Sequence, residues 1–176
     1  LTGDFLYSRA FQLMVEINNI EVMAHLANTT NRLAEGEMRQ LLHKNKTNVT
    51  ESDYLHVIQS KTAKLFESAT YLSAVVSHQV TQLDMMATYG LNLGTAFQLV
   101  DDIMDLKVSS EIMGKNRGDD LADGKASLPL IYAMEHASQD DQIQIKDTII
   151  HGRQNNVSAI AQIAEQCGAI EYTFNK

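Results

Sequence analysis

The chain has little cysteine, a deficit of positive charge and no long apolar run, and each scarcity excludes a class of protein. Cys167 is its only cysteine, so the fold cannot rest on an intrachain disulfide, which suits a reducing compartment. The net charge of −8 argues against non-specific binding to nucleic acid or to an anionic membrane. No apolar run approaches the roughly 18 residues of a membrane span, and the start carries no signal-peptide pattern. We therefore expect a cytoplasmic protein without a transmembrane segment or a nucleic-acid partner.

Proline is almost absent too, since Pro129 is the only one, and apolar residues recur at spacings of three and four. That spacing is typical of amphipathic helices. A chain of 176 residues can bury its own core as one domain but not comfortably as two. The sequence therefore predicts a single all-α domain over residues 1–176. We expect helices near residues 3–17, 19–43, 50–77, 81–106, 140–150 and 157–166, and a further helix that begins after Ser127.

Two of these helix starts carry capping signals. Asn19 stands directly before an apolar run and has an acidic residue two positions on, a typical N-cap arrangement. Thr50 and Asp53 have the spacing of a capping box, with Asp in place of the usual Glu. The second signal predicts one continuous helix from Thr50 to about Ser77.

A cluster of carboxylates stands near the end of the fourth predicted helix. Helical periodicity places Asp101, Asp102 and Asp105 on one face with Gln98. Three neighbouring carboxylates repel one another unless water or cations neutralise them, and hard oxygen ligands suit Mg²⁺. A solvated acidic face is the alternative, but the apolar flanks of the motif favour an internal cleft. Gly94 lies one turn earlier on the same stripe, where we expect it to leave room for a ligand.

Two further segments combine cations with polar groups in a way that suits phosphate. Lys115 and Lys125 belong to a loop rich in Gly, Asn and Asp, and flexible cations beside carboxylates suit a diphosphate that bridges metals and ammonium groups. Lys61 and Thr62 lie in mid-helix, where an ammonium and a hydroxyl side by side can hold a phosphate. An ordinary polar loop and an ordinary exposed lysine remain the alternatives at this point.

Other kinds of site lack their signatures. The six histidines show no metal-ligand spacing and no Glu-x-x-His motif occurs, which excludes a ferritin-like di-iron bundle. There is also no Gly-rich phosphate loop and no G-x-S-x-G motif.

Several short motifs follow one another in a recognisable order. They are Gly-Asp-Phe-Leu-Tyr-Ser-Arg-Ala at 3–10, Ala-Glu-Gly-Glu at 34–37, Lys-Thr-Ala at 61–63, Gly-Thr-Ala-Phe-Gln-Leu-Val-Asp-Asp-Ile-Met-Asp at 94–105, Gly-Lys-Asn-Arg-Gly-Asp-Asp-Leu at 114–121 and Gly-Lys-Ala-Ser-Leu-Pro-Leu at 124–130. This series resembles the trans-type polyprenyl diphosphate synthase family, above all its bacterial octaprenyl diphosphate synthases, which make quinone side chains.

The resemblance implies a helical bundle of the isoprenoid synthase type around a central cavity, in a homodimer. It implies Mg²⁺ as the cofactor, with isopentenyl diphosphate and an allylic prenyl diphosphate as substrates. Carried over by position, Asp101, Asp102 and Asp105 become metal ligands. Lys61, Thr62 and Gln98 become catalytic residues that also contact the allylic diphosphate, and Lys115 and Lys125 bind it from the loop.

The resemblance also has limits. The family's first aspartate-rich motif and its isopentenyl diphosphate site precede Gly3, and its last helices follow Lys176. We therefore expect a domain truncated at both ends and inactive by itself. The predicted activity of the whole enzyme is synthesis of a long-chain, octaprenyl-type diphosphate. The alternatives are a shorter-chain synthase, a non-catalytic subunit of a heteromeric synthase, a terpene cyclase (whose Asn/Ser/Glu triad is missing) and a purely structural helical protein.

Overall fold

The computed structural model describes residues 1–107, 118–152 and 156–176, and these residues form helices and no strand. The predicted all-α fold is confirmed. The helices are α1 (Thr2–Ile17), α2 (Ile20–His43), α3 (Glu51–Ile58), α4 (Lys64–Val76), α5 (Leu83–Lys107), α6 (Asp119–Ala122), α7 (Leu128–His136), α8 (Gln139–His151), α9 (Val157–Gln166) and α10 (Ala169–Phe174). Within the described ranges, no helix has the length and apolar content that crossing a membrane requires.

The predicted capping signals are confirmed in detail. The side chain of Asn19 accepts the backbone N–H of Glu21 at 2.9 Å, so α2 begins one residue later. Thr50 Oγ1 accepts the backbone N–H of Asp53 at 3.1 Å, and Asp53 Oδ2 accepts the backbone N–H of Thr50 at 3.1 Å. These reciprocal bonds form the capping box that starts α3.

The predicted continuous helix from Thr50 to Ser77 is interrupted. A π-helical turn, Gln59–Ala63, joins α3 to α4 and carries Lys61 and Thr62. Turns of this kind place an extra residue in the helix and occur frequently at functional sites. Helical periodicity alone does not reveal the turn, because the residues on either side keep their apolar spacing.

Two glycines let neighbouring helices pack directly on the π-helical turn. A Cβ added at Gly36 of α2 would lie 2.7 Å from the Lys61 backbone nitrogen, and one added at Gly94 of α5 would lie 2.6 Å from Ala63 Cα. The expectation that Gly94 leaves room for a ligand is therefore wrong, because α4 and the π-helical turn already fill that space. The glycine instead allows a close approach between helices.

The main hydrophobic core lies away from α1. Its fully buried side chains come from the end of α5 and from the helices that follow: Leu106, Leu121, Leu128, Leu130, Ile145, Ile149 and Ile160. Helix α10, which the sequence analysis did not predict, packs on this core through Ala169. In contrast, the described α1 buries none of its residues, and its apolar side chains, such as Phe5 and Phe11, are exposed. The core thus fixes the end of α5, where the carboxylates lie.

Gly94→Ala should destabilise the protein, because its new methyl group meets the backbone at Ala63 rather than a side chain that can move aside. Overpacking of this kind typically costs about 1–3 kcal/mol. We expect that loss in urea unfolding followed by circular dichroism. Gly3→Ala is the matched control, because it lies in α1 with nothing within 4 Å of its Cβ position. The control should be neutral or slightly stabilising, as alanine is the better helix former. Equal midpoints for the two variants would contradict the packing described here.

Candidate active site

A cavity of about 300 Å³ lies between α3, the π-helical turn, α5 and the segment that leads into α7. Its wall carries most of the side chains that the sequence analysis singled out. The charged residues and predicted site residues that line it are Lys61, Thr62, Gln98, Asp101, Asp102, Asp120 and Lys125. Of the predicted site residues, Asp105 is absent from this wall and Lys115 lies outside the described residues. The fold thus brings together parts of the chain that are more than 60 positions apart.

Gln98 is the centre of a hydrogen-bond network in this wall. Thr62 Oγ1 donates to Gln98 Oε1 at 3.1 Å. On the other side, Gln98 Nε2 donates to Asp102 Oδ1 at 2.9 Å and to Asp101 Oδ2 at 3.3 Å. The carboxylates can only accept, so the amide orientation follows from the chemistry of its neighbours. The network fixes the amide dipole along the cavity wall.

Asp102 is a carboxylate held inside the protein, with 4% of its surface exposed. Burial raises the pKa of Asp102 to about 7. Hydrogen bonds from Tyr54 and Gln98 oppose this rise, whereas the negative charges of Asp120 and Asp101 add to it. Burial also raises the pKa of Tyr54, so its hydroxyl remains a donor. A carboxyl group with this pKa is strongly stabilised in its charged form by a cation placed beside it.

Asp105 lies one turn further along α5 and has a different environment. It is almost completely buried, and its Oδ2 accepts the backbone N–H of Asp120 at 3.3 Å. Its backbone oxygen accepts the N–H of Gly118 at 3.0 Å. Asp105 therefore connects the end of α5 to the start of α6. Within the described part of the chain, no three His, Cys, Asp or Glu side chains form a group that could hold a metal ion.

Lys61 reaches the cavity from the π-helical turn and is already paired with α2. Its ammonium donates to Gln40 Oε1 at 2.5 Å and lies 2.9 Å from Glu37 Oε2. An incoming anion would therefore have to share or displace these partners. Glu37 and Gln40 were not singled out from the sequence as site residues, although their helical spacing puts them on one face of α2.

Lys125 is the second lysine that lines the cavity. Its ammonium lies 2.5 Å from Asp120 Oδ1 and 3.3 Å from Asp123 Oδ2. Burial works to lower the pKa of Lys125, but the hydrogen bonds and charges of Asp120 and Asp123 outweigh it and raise the pKa. The lysine thus stays charged where an anionic substrate would meet it.

Besides Glu37 and Gln40, two further residues of the site were missed as functional candidates. Tyr54 donates its hydroxyl to Asp102 Oδ2 at 2.6 Å, and Asp120 pairs with Lys125. Tyr54 precedes Lys61 by seven positions, or about two helical turns, which is a signal that it shares a helix face with that lysine. Nothing in the sequence shows that its hydroxyl faces a carboxylate on α5.

Some of the apolar residues that flank the aspartate motif are more exposed than expected. We expected them to indicate an internal cleft, and Gln98, Asp101 and Asp102 do line a cavity. Yet Phe97 and Val100 are 55% and 43% exposed, while Asp102 is buried. In this chain the polar face of α5 is covered and part of its apolar face is open.

A model of the family described as polyprenyl synthetase matches residues 1–167 of the chain. The chain belongs to the polyprenyl synthetase family. Its relatives include the octaprenyl diphosphate synthase of Haemophilus influenzae, which is 40% identical over 178 residues and is matched across 100% of this chain and 54% of its own length. The geranylgeranyl diphosphate synthase of Methanosarcina mazei is 29% identical over 181 residues, with 99% of this chain and 55% of the relative covered.

The fold of this polyprenyl synthetase chain agrees with solved structures. A polyprenyl synthase from Caulobacter crescentus, complexed with calcium and isoprenyl diphosphate, superposes with a TM-score of 0.92 at 37% identity. The superposition covers 98% of this chain and 54% of the Caulobacter chain. The predicted helical fold of the isoprenoid synthase type is therefore confirmed. The chain spans about half the length of the curated relatives it matches.

Asp102→Asn should change how the stability of the metal-free protein depends on pH. Because the pKa of about 7 in the folded protein lies above the ordinary value of 3.8, the stability linked to this group is fully present below pH 4 and is lost as pH rises to 7. The free energy of unfolding of the wild type minus that of Asp102→Asn should therefore decrease over this range. Urea unfolding at a series of pH values, with a chelator present, measures it.

Glu51→Gln provides a control of opposite sign. Hydrogen bonds from Lys176 and then from Tyr172 lower the pKa of Glu51. The stability linked to Glu51 is therefore present above its unfolded pKa and is lost as pH falls. The wild type minus Glu51→Gln difference should increase with pH. Parallel pH profiles for the two variants would contradict the environments described for these carboxylates.

Proposed function

We propose that the complete protein carrying this chain elongates an allylic prenyl diphosphate with isopentenyl diphosphate to a long-chain product of octaprenyl type, for quinone side chains. The observation that carries the proposal is the cavity in which three carboxylates, the Gln98 amide, the Thr62 hydroxyl and two lysines converge. The long-chain product is favoured by octaprenyl diphosphate synthase relatives at 40% and 39% identity. A shorter product is the second candidate, because the geranylgeranyl diphosphate synthase of M. mazei matches over 99% of the chain.

The donor set of the cavity fits Mg²⁺. This ion is commonly held by one or two carboxylates together with phosphate oxygens and water, so a group of three protein ligands is not required. We propose that Asp101 and Asp102 hold it. Asp105 stays a predicted third ligand, and its contact with the Asp120 N–H also links α5 to α6. A metal ion held by these carboxylates would supply positive charge to offset the charge that develops on the diphosphate leaving group.

The lysines of the site bind the same leaving group. In the first step the allylic C–O bond breaks and the diphosphate departs with the electron pair. Lys61 and Lys125 both line the cavity, so their ammonium groups can stabilise the departing charge. Lys115 stays a predicted contact in the same role. The paired acids Glu37 and Asp120 hold each ammonium in place before the substrate arrives.

Departure of the diphosphate leaves an allylic carbocation, and the remaining polar groups of the wall stabilise it until it reacts. The double bond of isopentenyl diphosphate attacks the cation and forms the new C–C bond. A proton then leaves the adjacent carbon, which restores a double bond, and the departed diphosphate accepts the proton. Thr62 and Gln98 orient dipoles along the wall and stabilise the cation without reacting with it.

We also propose that the complete protein is a homodimer in the cytoplasm. The exposed apolar side chains of α1 offer a contact surface for the second subunit.

The activity test uses the complete protein with Mg²⁺, farnesyl diphosphate and labelled isopentenyl diphosphate, with products sized by mass spectrometry. We expect a single product near C40 and no product after chelation of the metal. Asp101→Asn should lower turnover by roughly 100-fold or more, the loss typical when charge stabilisation is removed. Asp84→Asn, an exposed residue in the first turn of the same helix, should keep normal turnover. A shorter product would retain the chemistry and revise the length, whereas no elongation would refute the proposal.

Lys61→Met should lower kcat/KM for the allylic diphosphate. A hydrogen bond to a charged group is worth about 1.5–3 kcal/mol, which corresponds to a loss of roughly 10- to 100-fold in kcat/KM. Lys64→Met is the matched control, because Lys64 is three residues away and pairs with Glu67 at 2.6 Å rather than lining the cavity. Equal steady-state kinetics for the two variants would remove Lys61 from the site.

A further inference from the structure

The hydroxyl of Tyr54 is a buried polar group of the cavity wall that the proposed reaction does not use. Tyr54 is 5% exposed, and its hydroxyl donates to Asp102 Oδ2 at 2.6 Å. Because the tyrosine belongs to α3 and the aspartate to α5, the bond joins two helices that enter the site from different parts of the chain.

With this bond, both oxygens of the Asp102 carboxylate accept a hydrogen bond. Oδ2 accepts from Tyr54, while Oδ1 accepts from Gln98 at 2.9 Å. The terminal torsion of an aspartate is broad, so a single hydrogen bond to one oxygen leaves the carboxylate plane free to rotate. Gln98 stands one turn earlier on the same helix and also contacts Asp101 at 3.3 Å, so it cannot by itself fix the plane. The second bond, from another helix, removes this freedom.

Tyr54 is itself held rigidly enough for this role. The capping box of Thr50 and Asp53 fixes the first turn of α3, directly before Tyr54. One turn later, Val57 and Ile58 are buried. A donor fixed on both sides by its own helix can impose an orientation on its acceptor, as positioned residues around metal sites do.

We propose that Tyr54 is a positioning residue, which holds Asp102 in the orientation in which it and Asp101 receive a divalent cation. The inference rests on the proposed function, since that function assigns the cation to this pair. It adds that metal affinity depends on a hydroxyl that contacts neither substrate nor metal. A buried hydrogen bond that only stabilised the fold would lower the unfolding midpoint and leave metal binding unchanged.

The test compares Tyr54→Phe with Tyr172→Phe in the complete protein. Tyr172 is the matched control because its hydroxyl also donates to a carboxylate oxygen at 2.6 Å, that of Glu51, and does not line the cavity. Binding of Mn²⁺ without substrate is measured by electron paramagnetic resonance. The Mg²⁺ dependence of elongation, the KM for the allylic diphosphate and the unfolding midpoint are measured alongside.

Tyr54→Phe should raise the Kd for Mn²⁺, and the Mg²⁺ concentration for half-maximal rate, by roughly tenfold, the usual size of such effects around metal sites. The KM for the allylic diphosphate at saturating Mg²⁺ should stay within about twofold of the wild type, and Tyr172→Phe should match the wild type in metal binding. Equal Mn²⁺ affinities in wild type and Tyr54→Phe overturn the proposal, as does an equal loss in Tyr172→Phe.

Failure of the proposed function gives a different pattern. If Tyr54→Phe lowers the affinity for Mn²⁺ but the wild type makes no prenyl product, the function is refuted and the inference is supported. If the wild type elongates normally and Tyr54→Phe has the same Mn²⁺ affinity and the same Mg²⁺ dependence, the function is supported and the inference is overturned. If Tyr54→Phe does not fold, the wild type decides, because a cation that engages Asp102 perturbs the ultraviolet absorption of the Tyr54 phenol. A tyrosine spectrum unchanged at saturating Mg²⁺ overturns the proposal.

Discussion

The burial of one carboxylate, that of Asp102, is the constraint on which the cavity depends. A charged group removed from water costs several kcal/mol unless hydrogen bonds or opposite charges compensate it. Here the compensation comes from Tyr54 and Gln98, which occupy its two oxygens. Because Tyr54 stands on α3 and Asp102 on α5, the bond between them also links these two helices. The same hydrogen bonds therefore stabilise the buried carboxylate and contribute to the packing of the helices.

Close packing of backbones brings the phosphate-binding candidates to the same place. Gly36 and Gly94 let α2 and α5 approach the π-helical turn, and a side chain at either position would meet its backbone or first side-chain carbon. The turn lies between them and points Lys61 and Thr62 toward the cavity, where Thr62 donates to Gln98. The irregular turn is therefore closely packed against two other helices.

Local interactions were predictable from the sequence, and interactions between helices were not. Thr50 and Asp53 cap a helix through neighbouring backbone groups, so their spacing was sufficient. The π-helical turn packs against glycines from two other helices, and no periodicity within residues 50–77 indicates it. Periodicity also grouped Asp105 with the other aspartates, but Asp105 is absent from the cavity wall that Asp101 and Asp102 line. Its carboxylate meets the N–H of Asp120 instead of the cavity.

The balance of charge in the cavity explains why such a site needs cations from outside. Among the described residues that line it, three carboxylates face two ammonium groups, and each ammonium already has an acidic partner. A diphosphate adds further negative charge to a wall that is acidic before it arrives. In a partly buried site this repulsion is weakly screened. Lysines alone cannot offset it, because binding the substrate frees their acidic partners. A divalent cation held by the carboxylates on α5 would convert that repulsion into attraction, so the acidity of the wall would support binding instead of preventing it.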